Sequence, residues 1–344
     1  MIWVGLDVHK GFSRMGMFDP ATGELQDLGE VRNDRDEMAA RLGGMAGPKT
    51  IVLEAGRSCH YTAAMLEPMA DQVWVVDPMS VRKLQQRTAK TDRRDAIALA
   101  YWAAKGVLEP LWRPDAQTLN LRELTRGKTN LTRMAARVRH LIRSLLARHG
   151  YECPYHDLLG VKAGQWLAKV ELKGYAGRML ETLLELLPLI QEKADGFERL
   201  VEKEAKEDPQ AKRLMTIPGI GPFLGLTMVA EIGEVKRFPS SAQLRSYSGL
   251  TPRVVQSAGR DTRGPLTKQG NRWLRYAAVL GAQRIAAMRG ADPKLKRTFL
   301  SVALRHGRNP AKVACARRLL DLVHHLLTGQ EEYQAPLPRC AVKA

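Results

Sequence analysis

The sequence predicts an α/β domain built on a mixed sheet, followed by an all-α region that carries the rest of the chain. Two observations predict it. Short apolar runs bounded by turn residues occupy the chain up to residue 76, and helical 3/4 spacing takes over from about residue 115. Residues 2–8, 12–18 and 24–31 read as three strands. The last two are joined by Asp19-Pro20-Ala21-Thr22-Gly23, a turn sequence, so the three form an antiparallel meander. Residues 34–45 read as a helix. Thr50-Ile51-Val52-Leu53-Glu54 is a short strand ending in an acid. A helix follows to about residue 70, then a strand over 72–76 with a stop at Asp77-Pro78, and a helix over 92–105. This element order is that of an RNase H-like mixed sheet.

Beyond residue 115, Leu124, Leu131, Met134, Val138, Leu141 and Leu145 keep heptad-like spacing. So do Leu180, Leu183, Leu187, Ile190, Ala194, Phe197 and Val201. Two such helices suit either a coiled-coil hairpin with an oligomeric role or an ordinary bundle. Gly127, Pro188 and Gly196 interrupt the pattern and predict kinks. Asp208-Pro209 marks a boundary. The expected division is therefore a mixed-sheet α/β domain over 1–110, a helical coiled-coil region over 111–207, a helical C-terminal domain over 208–330 and a flexible tail over 331–344.

The 344 residues are 44% hydrophobic and 26% charged, as in a soluble globular protein, and no apolar run is long enough for a membrane span. The first residues meet Asp7 too early for a signal peptide. Four scattered cysteines form no metal-type pair, which points to a reduced cytosolic compartment. The net charge of +18 is concentrated. Residues 81–150 hold 16 Lys/Arg against 5 Asp/Glu, and residues 251–330 hold 16 against 3, so the remainder is acidic. Two basic zones nearly free of acids suit a polyphosphate ligand such as nucleic acid. Aromatics, at 6%, are too few for evident single-strand stacking platforms.

Within the sheet domain, Asp7 ends the first strand and Glu54 the fourth, which are neighbours in an RNase H-like sheet. Asp92 and Asp95, three apart, share one face of a helix. Four convergent carboxylates need a positive partner, and hard divalent cations with oxygen ligands supply one. Asp92 and Asp95 also suit a helix N-terminus, with Thr91 or Asp92 as its cap. Asp7 is harder to set aside, because an acid in an apolar strand costs free energy without a partner.

Farther on, Ile217-Pro218-Gly219-Ile220-Gly221-Pro222 precedes an apolar helix ending near Gly233. It reads as a helix-hairpin-helix whose Gly219 and Gly221 let backbone amides approach a phosphate. Then come Gly249-Leu250-Thr251-Pro252-Arg253 and Ser257-Ala258-Gly259-Arg260, followed by Arg263, Lys268, Arg272 and Arg275. A serine in a Gly-rich loop among cations is where a phosphodiester nucleophile could sit. Ser240, Ser241, Ser246 and Ser248 are rivals that residue type alone does not separate from Ser257.

The chain resembles the DEDD insertion-sequence transposases, the group that includes the pilin-gene inverting recombinase and the bridge-RNA-guided recombinases. Gly5-Leu6-Asp7, Glu54-Ala55-Gly56, Lys90-Thr91-Asp92-Arg93-Arg94-Asp95-Ala96, Ile217-Pro218-Gly219-Ile220-Gly221, Gly249-Leu250-Thr251-Pro252-Arg253 and Lys268-Gln269-Gly270-Asn271 carry the resemblance, in order, over essentially the whole chain. It implies that Asp7, Glu54, Asp92 and Asp95 are a RuvC-like tetrad holding Mg²⁺ or Mn²⁺, and that Ser257 is the nucleophile. It further implies a covalent phosphoserine with DNA, a guide (bridge) RNA pairing to donor and target, a dimer or tetramer joined by the coiled coil, and a composite active site. The setting it implies is a prokaryotic cytoplasm, at the nucleoid. Arg253, Arg260, Arg263, Lys268, Arg272 and Arg275 are the expected phosphate contacts. One departure is Ser257-Ala258-Gly259, where the family has Ser-Gly, because alanine tolerates positive φ less well. The competing readings are a junction-resolving nuclease that uses water, a DNA invertase, and a nucleic-acid-binding protein without catalysis.

Overall fold

The computed structural model describes residues 1–85, 92–257 and 260–335, with side chains undescribed at 85, 92, 93, 254–257, 260–263 and 265. The chain forms two compact units, Met1–Arg113 and Pro114–Ala344.

In the first unit, β1 (Ile2–Val8), β2 (Phe12–Phe18) and β3 (Leu25–Arg32) form the antiparallel meander. β4 (Lys49–Glu54) and β5 (Gln72–Val76) add parallel to β1, giving the order β3-β2-β1-β4-β5. This five-stranded mixed sheet is consistent with the RNase H-like arrangement. The turn between β2 and β3 closes on Gly23, whose φ of +75° suits glycine and whose amide donates to Asp19 O at 2.8 Å. α1 (Arg35–Gly43) is capped by Asp34, whose carboxylate accepts from the amides of Asp36 and Glu37. α1 and α2 (Cys59–Leu66) cover one sheet face, where Val4, Leu6, Met15, Ile51, Leu53 and Val75 are buried. α4 (Asp92–Ala104) covers the other, with Val52, Val76, Leu99 and Ala103.

One helix here differs from expectation. Pro78 does not end structure but opens α3 (Pro78–Gln85), and Asp77 accepts from the Ser80 amide at 3.0 Å. Proline at the first helical position and an acid before it start helices rather than stop them.

The second unit begins with α5 (Ala116–Arg148), followed by the short α6 (Val161–Leu167) and α7 (Gly174–Glu207). α5 and α7 pack as an antiparallel hairpin, with Val138, Ile142, Leu145 and Leu146 against Leu180, Leu183, Leu187 and Ile190. Both helices run unbroken through Gly127, Pro188 and Gly196. Gly127 serves close approach: a Cβ there would lie 2.8 Å from Phe197 Cε1. Asp208 then caps α8 (Pro209–Met215) through the Ala211 amide at 2.7 Å, so α7 passes into the next helix within the same unit.

α9 (Pro222–Ile232), α10 (Ser241–Tyr247), α11 (Arg272–Ala287), α12 (Pro293–His306) and α13 (Arg308–Gly329) complete this unit around a core of Leu214, Leu226, Leu274, Leu319 and Leu320. The region is not purely helical, as the sequence had suggested. β6 (Pro252–Ser257) and β7 (Arg260–Leu266) form an antiparallel hairpin where a loop was expected. The expected tail also begins with an anchored stretch. The Tyr333 amide donates to Thr216 Oγ1 at 2.8 Å and its hydroxyl to Asp292 Oδ2 at 2.7 Å, while residues 336–344 lie outside those described. No described helix is long and apolar enough to cross a membrane.

Candidate active-site residues

Strand alternation sets the acidic face. Residues 4 and 6 of β1 and 51 and 53 of β4 point into the core beneath α1 and α2. Residues 3, 5 and 7 of β1 and 52 and 54 of β4 therefore face α4. β1 and β4 are parallel with Leu6 opposite Leu53, so Asp7 and Glu54 follow at one level on adjacent strands. α4 approaches so closely that a Cβ at Gly5 would collide with Ala96 O and one at Gly16 with the Ile97 amide.

The level of α4 along β1 follows from these contacts. Phe18, opposite Trp3, meets Tyr101 edge to face at 5.1 Å between centroids, and Gly16, opposite Gly5, abuts Ile97. Two strand residues advance about 6.7 Å and four helical residues about 6 Å. The level of Asp7 therefore falls near residue 93, between Asp92 and Asp95. Asp95 is buried on the sheet-facing stripe with Ala96, Leu99, Ala100 and Ala103. Asp7, Glu54 and the first turn of α4 thus lie toward the same end of one sheet face. Asp7 also has His9 Nε2 3.4 Å from its Oδ2, and its side chain is 29% exposed. Among the described side chains, no group of three or more His, Cys, Asp or Glu is arranged to hold a metal ion. The Asp92 side chain is not among them, and Lys90 and Thr91 lie outside the described residues. An all-carboxylate donor set suits a hard divalent cation rather than a soft one.

In the second unit, β6 ends at Ser257, which pairs with Arg260 across the ladder, and Val254 pairs with Arg263. The Ser257, Arg260 and Arg263 side chains, and Ala258 and Gly259 altogether, lie outside the described residues. The roots of the hairpin are tightly fixed. The Thr267 amide donates to Thr251 O at 2.9 Å and the Asn271 amide to Tyr247 O at 2.6 Å. Gly249 (φ +68°) and Gly270 (φ +111°) take left-handed backbone at the two roots. A Cβ at Gly249 would stand 2.5 Å from Arg275 Nη1, and one at Gly270 would strike Tyr247 O. Arg275, one of the expected phosphate contacts, spans the roots, its Nη1 donating to Ser248 O (2.9 Å) and Lys268 O (3.1 Å). Arg253, Lys268 and Arg272 are exposed, Arg272 lying over the Trp273 ring. Of the rival serines, Ser248 is fully buried and its hydroxyl donates to Arg245 O at 2.7 Å, which removes it as a nucleophile.

Beneath these roots is a buried carboxylate that sequence reasoning passed over. Glu231, 0% exposed, ends the apolar helix α9. Arg126 of α5 grips it with two hydrogen bonds, Nε to Oε1 at 2.7 Å and Nη2 to Oε2 at 2.8 Å. Asn271 Nδ2 donates to Oε2 at 2.8 Å and also lies 3.1 Å from the Tyr247 hydroxyl. The Asn271 carbonyl oxygen caps α11 through the amides of Trp273 and Leu274. Arg122, nearly buried, donates to Ala230 O and Glu231 O. Burial pulls the Arg126 guanidinium down, but the hydrogen bond and charge of Glu231 outweigh it and raise its pKa above the ordinary value. One acid thereby ties α5, α9, α10 and α11 to the floor of the hairpin.

The Pro-Gly-x-Gly turn joins α8 to α9. Gly219 is at φ +97° with Ile285 behind it, and Gly221 precedes Pro222, the first residue of α9. The turn lines a cavity of about 510 Å³ with Met215, Met288 and Arg284.

Both units match known families. Residues 4–150 match the model of the DEDD transposases of the IS110 type, and residues 211–300 that of the transposase IS116/IS110/IS902 family. Such a pairing defines an enzyme of DNA strand cleavage and transfer. The chain belongs to the DEDD insertion-sequence transposase family. It is 25% identical to the transposase for insertion sequence element IS1111A of Coxiella burnetii, over 83% of this chain and 79% of that one. It is 23% identical to a probable family 20 transposase of Pseudomonas aeruginosa, over 83% and 86%. It is 24% identical to the insertion element IS116 uncharacterized 44.8 kDa protein of Streptomyces clavuligerus, over 98% and 97%.

Proposed function

We propose that this transposase cuts and rejoins DNA through a phosphoserine at Ser257, with a divalent cation (Mg²⁺ or Mn²⁺) held by Asp7, Glu54, Asp92 and Asp95, and with a structured RNA as guide. What supports the reading is that Asp7 and Glu54 follow in register on adjacent parallel strands of the sheet face over which α4 packs closely. The bound cation would polarise the phosphate and ease loss of the serine proton. Ser257 Oγ attacks phosphorus, the Oγ–P bond forms, and the bond to the departing strand breaks, that strand leaving as a hydroxyl. A hydroxyl of another strand then attacks the same phosphorus and releases serine, so bond energy is conserved without ATP. Arg253, Arg260, Arg263, Lys268 and Arg272 supply positive charge to the phosphate oxygens. Gly219 and Gly221 offer backbone amides to a phosphate away from the reacting one.

The α5/α7 hairpin joins protomers in this reading. Exposed Tyr175, Met179, Leu186, Leu189 and Leu200 recur at helical spacing and form a second apolar stripe on α7, beside the one packed on α5. The test incubates protein, Mg²⁺, labelled element-end DNA and the RNA transcribed beside the reading frame, then runs a denaturing protein gel. A labelled adduct lost in both Ser257→Ala and Asp7→Ala is expected. Cleaved DNA without adduct would mean that water is the nucleophile and would remove the role given to Ser257.

A further inference from the structure

A cation-rimmed cleft lies among α10, α12 and α13, and no described residue of β6 or β7 lines it. It consists of two cavities of about 300 and 320 Å³ that share Thr298 and Arg318. Arg245 of α10, Lys294 and Arg297 of α12, and Arg317 and Arg318 of α13 face two carboxylates, Asp292 and Asp321. Both acids are already engaged. Asp292, 6% exposed, caps α12 through the Leu295 amide at 2.6 Å and accepts the Tyr333 hydroxyl. Asp321 forms an ion pair with Arg245 and lies 3.8 Å from Arg318. Lys294 and Arg297 on α12 and Arg318 on α13 are exposed among the residues that line it. A cleft lined by more cations than acids, with the acids turned to internal duties, suits a ligand with negative charges spaced along it.

We propose that this cleft binds a phosphodiester backbone, as a nucleic-acid site separate from the hairpin that carries Ser257. The inference rests on the reading that the chain acts on nucleic acid. Arg297 and Arg318 supply planar forks for phosphate oxygens and Lys294 a point charge at the same cavity. DNA and RNA offer the same chemistry here.

The experiment measures binding of the full chain to labelled duplex DNA and, separately, to a labelled RNA hairpin, by fluorescence anisotropy over a range of salt. It compares the parent, Arg297→Gln/Arg318→Gln, and a control with the same charge loss at exposed sites on α7, Lys203→Gln/Lys206→Gln. Each phosphate that a cation no longer neutralises lowers the slope of log K against log salt by about 0.9 on duplex DNA. The rim variant, short of two such cations, should therefore lower it by about 1.8 on the duplex, or by a comparable amount on the RNA. The control should leave it unchanged. A loss on one probe alone identifies which nucleic acid the cleft takes. Unchanged slopes on both probes, or equal losses in the control, would overturn the site. A parent that binds neither probe would instead overturn the nucleic-acid reading itself.

Discussion

Replacing Glu231 by glutamine keeps its shape and removes its charge. In the native unit its two oxygens accept three hydrogen bonds of 2.7–2.8 Å from Arg126 and Asn271, and Arg122 Nε lies 3.7 Å away. The Glu231 side chain is 0% exposed, that of Arg122 8% and that of Arg126 30%. Glutamine would leave the two guanidiniums facing an amide, and its NH₂ would point at another donor whichever way it turned. Breaking a buried ion pair by removing one partner costs about 3–5 kcal/mol. Water reaching the partly exposed Arg126 puts the expectation at the lower end, about 3 kcal/mol. For a unit of this size that lowers the midpoint by about 6–12 °C. Scanning calorimetry and urea unfolding read this directly. The double variant Glu231→Met/Arg126→Met should lose less than the two single losses added together, because each single change strands a charge that the pair of changes removes. A Glu231→Gln protein within about 0.5 kcal/mol of the parent would refute the account of Glu231 as the tie beneath the hairpin roots.

Three further outcomes are expected. Gly5→Ala drives a methyl into Ala96 O, so α4 must lift from β1; a loss of about 1–3 kcal/mol, with weakened adduct formation, is expected, and an unchanged melting curve would contradict the close approach. Tyr333→Phe removes the hydrogen bond to buried Asp292 and should cost about 1.5–3 kcal/mol in urea unfolding; a neutral result would mean that the segment after α13 contributes no anchor. Burial, helped by the Asp292 carboxylate, pushes the Cys315 thiol from 9.0 up to about 11. The folded state then keeps a proton that the unfolded chain has lost. Stability is therefore full below pH 9 and falls as pH rises toward 11, by up to about 2–3 kcal/mol, and a Cys315→Ala protein showing the same decline over that range would exclude this thiol as its cause.

Much of the first unit was legible in the sequence. The strands of the meander, the apolar runs of β4 and β5, and α4 follow from alternation and turn chemistry that neighbouring elements do not override. α3 is hidden behind Asp77-Pro78, which resembles a stop although both residues favour a helix start. The β6/β7 hairpin is hidden because residues 251–266 mix Gly, Pro and Arg without clean alternation, and pairing is a property of two strands rather than one. Of the candidate site, the carboxylates and the neighbouring strands of Asp7 and Glu54 were legible, whereas the register of β1 on β4 and the close approach of α4 at Gly5 and Gly16 depend on pairing and packing partners that no single segment displays. Arg275 illustrates the limit of residue type: an arginine beside a loop suits phosphate and carbonyl oxygens equally, and here it serves carbonyls. Glu231 is a different case. A lone acid within Phe223–Ile232 raises the same question as Asp7 in its strand, a charge that needs a partner, and that signal was present in the sequence.

α5 is one uninterrupted helix of 33 residues, about 50 Å long. Near one end its Arg122 and Arg126 grip α9 beneath the roots of the hairpin, and toward the other it packs along α7. A load taken up along the α7-facing stretch is therefore carried by one continuous helix to Arg122 and Arg126, beneath the hairpin roots.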